Sequence, residues 1–130
     1  EDVDGKDVII IDDIVDTGDS ILETARRLKA MNAKSVYICC TFGLFSRGLA
    51  DFDEAYEQCY FDRVVATNLT YRIPELSRRP YYVEADMSKF LASIVDFMNH
   101  DSSMAGVYTP TEKIQEFLAR YNNREENYNI

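Results

Sequence analysis

The stretch Val8-Ile9-Ile10-Ile11-Asp12-Asp13-Ile14-Val15-Asp16-Thr17-Gly18-Asp19-Ser20 decides the fold. Val8 to Ile11 are β-branched throughout and too few for a helix, so they read as a strand buried on both faces inside a parallel sheet. Asp12 and Asp13 stand where that strand should end. Asp16 opens a tight Thr17-Gly18 turn, and a helical pattern begins at Ser20. Ligands of open α/β sheets collect at the carboxyl ends of strands, and a helix N-terminus beside a glycine turn offers free backbone N–H groups to an anion. The stretch therefore reads as a pocket with an acidic floor and an anion cradle.

Working outward, Ile21, Leu22, Ala25 and Leu28 recur at helical spacing, with Asn32 as a carboxyl-terminal cap. Val36 to Cys40 is a second buried strand, and the short link before it predicts a right-handed βαβ unit. Thr41 to Gly48 leaves that strand at the same edge as the acidic pair, where it either walls the pocket or merely connects. Leu49, Phe52, Ala55 and Tyr56 predict a short helix leading to a third strand, Arg63 to Ala66, with Thr67 and Asn68 at its exit. Tyr71 to Pro80 is a loop holding Arg72, Arg78 and Arg79, which either meet a ligand phosphate or a subunit, or are solvated loop charge. Tyr81 to Glu84 is a fourth strand, and Asp86 can cap the following helix. That helix carries a stripe of Met87, Phe90, Leu91, Ile94, Val95 and Met98, suited to core or a subunit interface. Thr109-Pro110-Thr111-Glu112 starts a last helix with Ile114, Phe117, Leu118 and Tyr121 on one face. A polar, frayed tail is expected from Asn122 to Ile130.

With 130 residues, 46% of them apolar, the chain is expected to form a single α/β domain, residues 1–130, without an internal boundary. Its net charge of −9 argues against nucleic acid and anionic membranes as partners. No apolar run approaches the length of a membrane span, and no signal peptide is expected. Cys39, Cys40 and Cys59 lack metal-type spacing and are expected to be buried, reduced thiols of a cytoplasmic protein.

Carboxylates repel phosphate but accept hydrogen bonds from sugar hydroxyls. A ligand with vicinal hydroxyls at one end and phosphate at the other, such as ribose 5-phosphate, suits both halves of the pocket. The run Asp12 to Ser20 resembles the phosphoribosyl pyrophosphate binding motif of the type I phosphoribosyltransferase fold. Thr41-Phe42-Gly43-Leu44-Phe45-Ser46 followed by Gly48, and Phe61 to Asn68, resemble segments of ribose-phosphate pyrophosphokinases. Together these cover about the first hundred residues.

This resemblance implies a three-layer sandwich with a mainly parallel sheet, forming the carboxyl-terminal part of a longer enzyme of nucleotide biosynthesis. It implies a magnesium-dependent transferase that moves diphosphate from ATP to ribose 5-phosphate, with the ATP site outside this chain, and a homo-oligomer. By the same resemblance Asp12 and Asp13 bind the ribose hydroxyls, while Asp16, Thr17, Gly18, Asp19 and Ser20 wrap the 5-phosphate. Asp16 lies near the sugar, where it helps with the anomeric oxygen, and is the catalytic candidate; no metal-ligating residue is assigned. Gly18 lets the backbone turn tightly and approach the phosphate.

Asp19 departs from the small residue common in that motif. Pointing inward, at about 6 Å and an effective dielectric of about 20, it would weaken phosphate binding about a hundredfold. Pointing outward it favours the helix dipole, which is the preferred reading. Phe42 stands where the kinase branch often has His, and can only pack or stack. Ser102-Ser103 loosely resembles a terminal serine segment near a regulatory phosphate site, and His100 reads as a helix-end residue. Two other readings stay open: a nucleobase phosphoribosyltransferase and a non-catalytic regulatory or assembly module. A phosphoacceptor receiver is disfavoured, because it needs an acceptor Asp at a later strand end, where this chain has Thr41 and Thr67.

Overall fold

The computed structural model describes residues 2–100 and 110–126. These belong to two compact units, Glu1–Ser88 and Lys89–Ile130. The first contains β1 (Asp7–Val15), α1 (Asp19–Ala30), β2 (Ser35–Gly43), α2 (Ala50–Glu57), β3 (Arg63–Thr67), a 3₁₀ turn (Pro74–Arg78) and β4 (Tyr82–Ala85). The strands form one parallel sheet in the order β1-β2-β3-β4. The fold class is α/β, as expected.

Sequential strand order with right-handed crossovers puts successive helices on one face of a sheet. Accordingly, Val36 and Ile38 of β2 and Val64 and Ala66 of β3 share a buried cluster with Ile21 and Ala25 of α1 and Phe52 and Ala55 of α2. Phe45, Phe52, Phe61 and Tyr81 extend it by edge-on ring contacts with centroids 5.0 to 6.4 Å apart. Such aromatic geometry adds to what area burial alone contributes.

The reading of Val8 to Ile11 as buried on both faces does not hold for the described residues. Val8 and Ile10 pack against the core, whereas Ile9 is 62% and Ile11 81% exposed. The reason is topological, since β1 is an edge strand whose inner face alone meets the helix-covered cluster. Nor does the strand end at Asp12. Asp12 pairs with Cys40, Ile14 with Phe42 and Val15 with Gly43, so both acids lie inside β1. A Leu44 N–H to Val15 carbonyl bond of 2.8 Å continues the pairing beyond the strand. Pairing with a long β2 overrides the poor strand propensity of two aspartates.

Helix ends follow the sequence more closely. Asn32 leaves α1 in the left-handed conformation, φ 63°, with its N–H donating to the Lys29 carbonyl. Asp86 accepts a 2.9 Å hydrogen bond from the Ser88 N–H, capping the helix that follows. All three thiols are free, but only Cys40 is buried; Cys39 is half-buried and Cys59 exposed, in the turn after α2.

The second unit holds α3 (Ser88–Asn99) and α4 (Pro110–Glu126), and α4 starts at its proline as expected. Phe90, Leu91, Val95 and Met98 on α3, and Ile114, Phe117, Leu118 and Tyr121 on α4, are exposed, so the α3 stripe is not a core among the described residues. Asn122 and Asn123 are helical where a frayed tail was expected. His100 ends α3, its N–H donating to the Asp96 carbonyl. Ser102, Ser103 and Thr109 lie outside the described residues. No helix among the described residues is long and apolar enough to cross a membrane.

Candidate functional site

Val15, 2% exposed, anchors the carboxyl end of β1 in the core and fixes where the motif begins. From there the chain turns through Asp16 and Thr17 into Gly18, whose φ of 89° puts it in the left-handed region. The Gly18 carbonyl accepts the first bond of α1, from the Leu22 N–H at 2.9 Å. Gly18 is required for a reason the sequence did not disclose. A Cβ there would stand 2.5 Å from Cε2 and 2.6 Å from Cζ of Phe52, a fully buried ring of α2. The glycine thus lets the turn settle on the core, apart from anything it does for a ligand.

Asp12, Asp16, Thr17, Gly18 and Ser20 line one concavity of about 160 Å³ at the carboxyl end of β1 and the N-terminus of α1. Asp13 and Asp19 do not line it. Asp12 and Asp13 each accept one backbone bond on Oδ1, from the Asp13 N–H at 2.8 Å and the Ile14 N–H at 3.0 Å. Asp16 is half-buried, and its Oδ1 accepts the Ser46 N–H at 3.2 Å. That bond, with the Leu44 N–H to Val15 bond, holds the segment after β2 against the motif. The segment therefore packs beside the acidic motif rather than simply connecting.

Arg47, in that same segment, was missed by sequence reasoning. Its Nη2 donates to Asp19 Oδ1 at 2.8 Å and to Asp51 Oδ2 at 3.0 Å, and its Nη1 donates to Asp19 Oδ2 at 3.2 Å. The Thr17 hydroxyl donates to Asp19 Oδ2 at 2.9 Å. Asp19 consequently turns outward, towards the groove between α1 and α2 that it lines with Glu23, Arg26 and Asp51. The Thr17 hydroxyl bond, and then Arg47, hold its carboxyl below the usual range. The available signal was weak: a single cation in a glycine-flanked turn, four residues before Asp51.

Two of the three arginines of the 71–80 loop, Arg79 and Arg72, serve other contacts. Arg79 grips Asp53 with Nε at 2.8 Å and Nη2 at 2.7 Å, and the Tyr81 hydroxyl donates to the same carboxylate at 2.7 Å. Arg72 pairs with Glu84. Burial acts most strongly on Asp53 and would raise it, yet the bonds from Arg79 and Tyr81 hold its carboxyl low. Cys40, beside Asp12 in the ladder, is pushed up to about 11, mainly by burial, and is a packing residue rather than a nucleophile. At the strand ends where a receiver would carry its acceptor Asp, the Thr67 hydroxyl donates to the Thr41 carbonyl at 2.6 Å. Phe42, 37% exposed, pairs with Ile14 in the ladder.

Residues 1–109 match the family described as "Phosphoribosyl synthetase-associated domain". The chain is 32% identical over 107 residues to a ribose-phosphate pyrophosphokinase of Nostoc sp., covering 82% of this chain and 31% of that protein. It is 31% identical over 110 residues to the ribose-phosphate pyrophosphokinase of Campylobacter jejuni, covering 82% and 33%. Among solved structures, a phosphoribosylpyrophosphate synthetase from Mycobacterium smegmatis superposes with a TM-score of 0.68 at 27% identity, covering 78% of this chain and 33% of that one. The chain spans about a third of the length of the curated relatives it matches.

Proposed function

The chain belongs to the phosphoribosyl synthetase-associated domain family, and from that premise we propose that it is the ribose 5-phosphate half of a ribose-phosphate pyrophosphokinase. In this reading diphosphate passes from ATP to the anomeric hydroxyl of ribose 5-phosphate, giving phosphoribosyl pyrophosphate and AMP. The observation that carries it is the convergence of Asp12, Asp16, Thr17, Gly18 and Ser20 on a single concavity where a strand end meets a helix N-terminus. Backbone N–H groups at the start of α1 and the Ser20 hydroxyl suit the 5-phosphate. The second carboxylate oxygen of Asp12 suits the ribose hydroxyls, and Asp16 lines the same concavity; Asp13 is beside Asp12 on β1 but does not line it, so its part in holding the sugar rests on the motif alone.

These residues act by positioning. A sugar held at both ends presents its anomeric oxygen in a fixed direction, which lowers the entropic part of the barrier to an in-line transfer. Magnesium takes one or two carboxylates and fills its remaining positions with water and phosphate oxygens. The exposed carboxylates of Asp12 and Asp13 are donors of that class, and among the described residues no group of three ligands forms a cage of its own. Such a cation would therefore be shared with substrate, where it would neutralise charge on the transferring phosphates.

Calorimetric titration with ribose 5-phosphate and magnesium tests the reading, with Asp12→Asn and Ser20→Ala run beside the wild type. Saturable binding weakened about tenfold or more in both variants is expected, each loss being that of a group bonded to a charged or polar ligand atom. Absence of binding to a wild-type chain shown by circular dichroism to be folded would overturn it.

A further inference from the structure

The turn that carries Arg47 is fixed from several sides. Phe45 is 2% exposed and takes a left-handed φ of 49°, with its ring 5.0 Å from that of Phe52. Gly48 closes the turn at φ 84°, its N–H donating to the Phe45 carbonyl at 2.9 Å, and the Ser46 N–H is held by Asp16. Arg47 is thus presented from a rigid support, and its guanidinium falls between Asp19 of the motif and Asp51 of α2.

The charges around it define its task. Asp19 and Asp51 share a groove with Glu23 and Glu54, while Arg26 and Arg27 are already bonded to Glu23. Without Arg47, two carboxylates would stand uncompensated beside the start of α1. Asp19, held then by the Thr17 hydroxyl alone, would turn more readily about its own χ angles and compete with a ligand anion for the N–H groups there. With Arg47 in place, Asp19 faces the groove and the concavity is lined by its neighbours Gly18 and Ser20.

We propose that Arg47 is a positioning residue for phosphate binding: it cancels the charge of Asp19 and holds that side chain out of the anion cradle. The role rests on the ribose 5-phosphate reading and deepens it, because it accounts for how a motif with an acid at position 19 still accepts a phosphate. Asp19 and Arg47 are exposed, with 67% and 52% of their side-chain surfaces open to water. Screening therefore keeps the effect modest, and removing Arg47 should weaken phosphate binding about three- to tenfold at low ionic strength.

The test is ribose 5-phosphate titration of the wild type, Arg47→Gln, Asp19→Asn and the double variant, each checked by urea unfolding. Arg47→Gln should bind about three- to tenfold more weakly, with the loss shrinking at high salt. Asp19→Asn should bind at least as tightly as wild type, and the double variant should bind like Asp19→Asn. Arg47→Lys should recover part of the affinity, and carbon NMR should find the Asp19 carboxyl titrating at higher pH in Arg47→Gln than in wild type. Undiminished affinity in Arg47→Gln overturns the proposal while leaving the ribose 5-phosphate reading intact. So does an equal loss in the Asp19→Asn background, which would mean that Arg47 touches the phosphate directly. Failure of the wild type to bind shows in the unsubstituted chain and removes the reading together with the role built on it.

Discussion

Replacing Gly18 by alanine should destabilise the protein by about 2–5 kcal/mol, from two separable causes. An L-residue held in the left-handed region costs about 1–2 kcal/mol, and Gly18 sits at φ 89°. The added Cβ would also meet the Phe52 ring at 2.5 Å, far inside contact distance, and Phe52 has no exposed surface to move into. Overpacking of that kind costs about 1–3 kcal/mol. Gly48 isolates the first cause, because its φ is 84° while a Cβ there meets nothing within 4 Å. Gly48→Ala should therefore cost about 1 kcal/mol, near the conformational term alone.

Urea unfolding of Gly18→Ala, Gly48→Ala, Phe52→Leu and the Gly18→Ala/Phe52→Leu double variant checks this. The smaller, branched side chain should relieve the clash, so the double variant should be more stable than the sum of its single effects by about 1–2 kcal/mol. Additivity within about 0.5 kcal/mol, or equal costs for the two glycine variants, would refute the claim that Phe52 dictates the glycine. The motif's glycine would then be explained by conformation and ligand approach alone.

Asp53→Asn should cost about 1–2 kcal/mol, since the hydrogen bonds from Arg79 and Tyr81 to a partly buried carboxylate lose their charge assistance. Asp53 titrates lower in the folded chain than in the unfolded one, so the native state binds fewer protons as pH falls. Its contribution is complete above about pH 4 and is lost as pH drops through the folded value; the gap between wild type and Asp53→Asn in urea melts should narrow there. Iodoacetamide at pH 8 should modify Cys59 first, because it is exposed, while buried Cys40, with its thiol near 11, should react only on unfolding. Peptide mass spectrometry would identify the site, and early labelling of Cys40 would contradict its burial.

The parallel sheet was legible because Val8 to Ile11, Val36 to Cys40 and Arg63 to Ala66 are short, mainly apolar runs containing β-branched residues and separated by helical patterns, and period and length together leave few topologies. Strand ends were less legible. Asp12 and Asp13 have poor strand propensity, and only the ladder to Cys40 and Phe42 draws them into β1. The exposure of Ile9 and Ile11 was hidden for a related reason: hydrophobicity marks a strand as able to be buried on both faces, but its position at the sheet edge depends on strand order.

At the site, residue types announced chemistry but not orientation. Asp16, Gly18 and Asp19 are neighbours in sequence, yet each is oriented by a partner far along the chain: Ser46 for Asp16, Phe52 for Gly18, Arg47 for Asp19. All three partners belong to the segment after β2 or the helix it leads into, and the sequence left open whether that segment walls the pocket or merely connects. That segment can hold the motif because Phe45 anchors it in the core while Leu44 extends the β1 pairing. A change at Phe45 should therefore disturb the orientation of Asp16 and Asp19 together, although it touches neither charge. On the role proposed for Arg47, position 19 tolerates an acid only so long as this loop keeps its place, which would couple the packing of the core to the electrostatics of the proposed cradle.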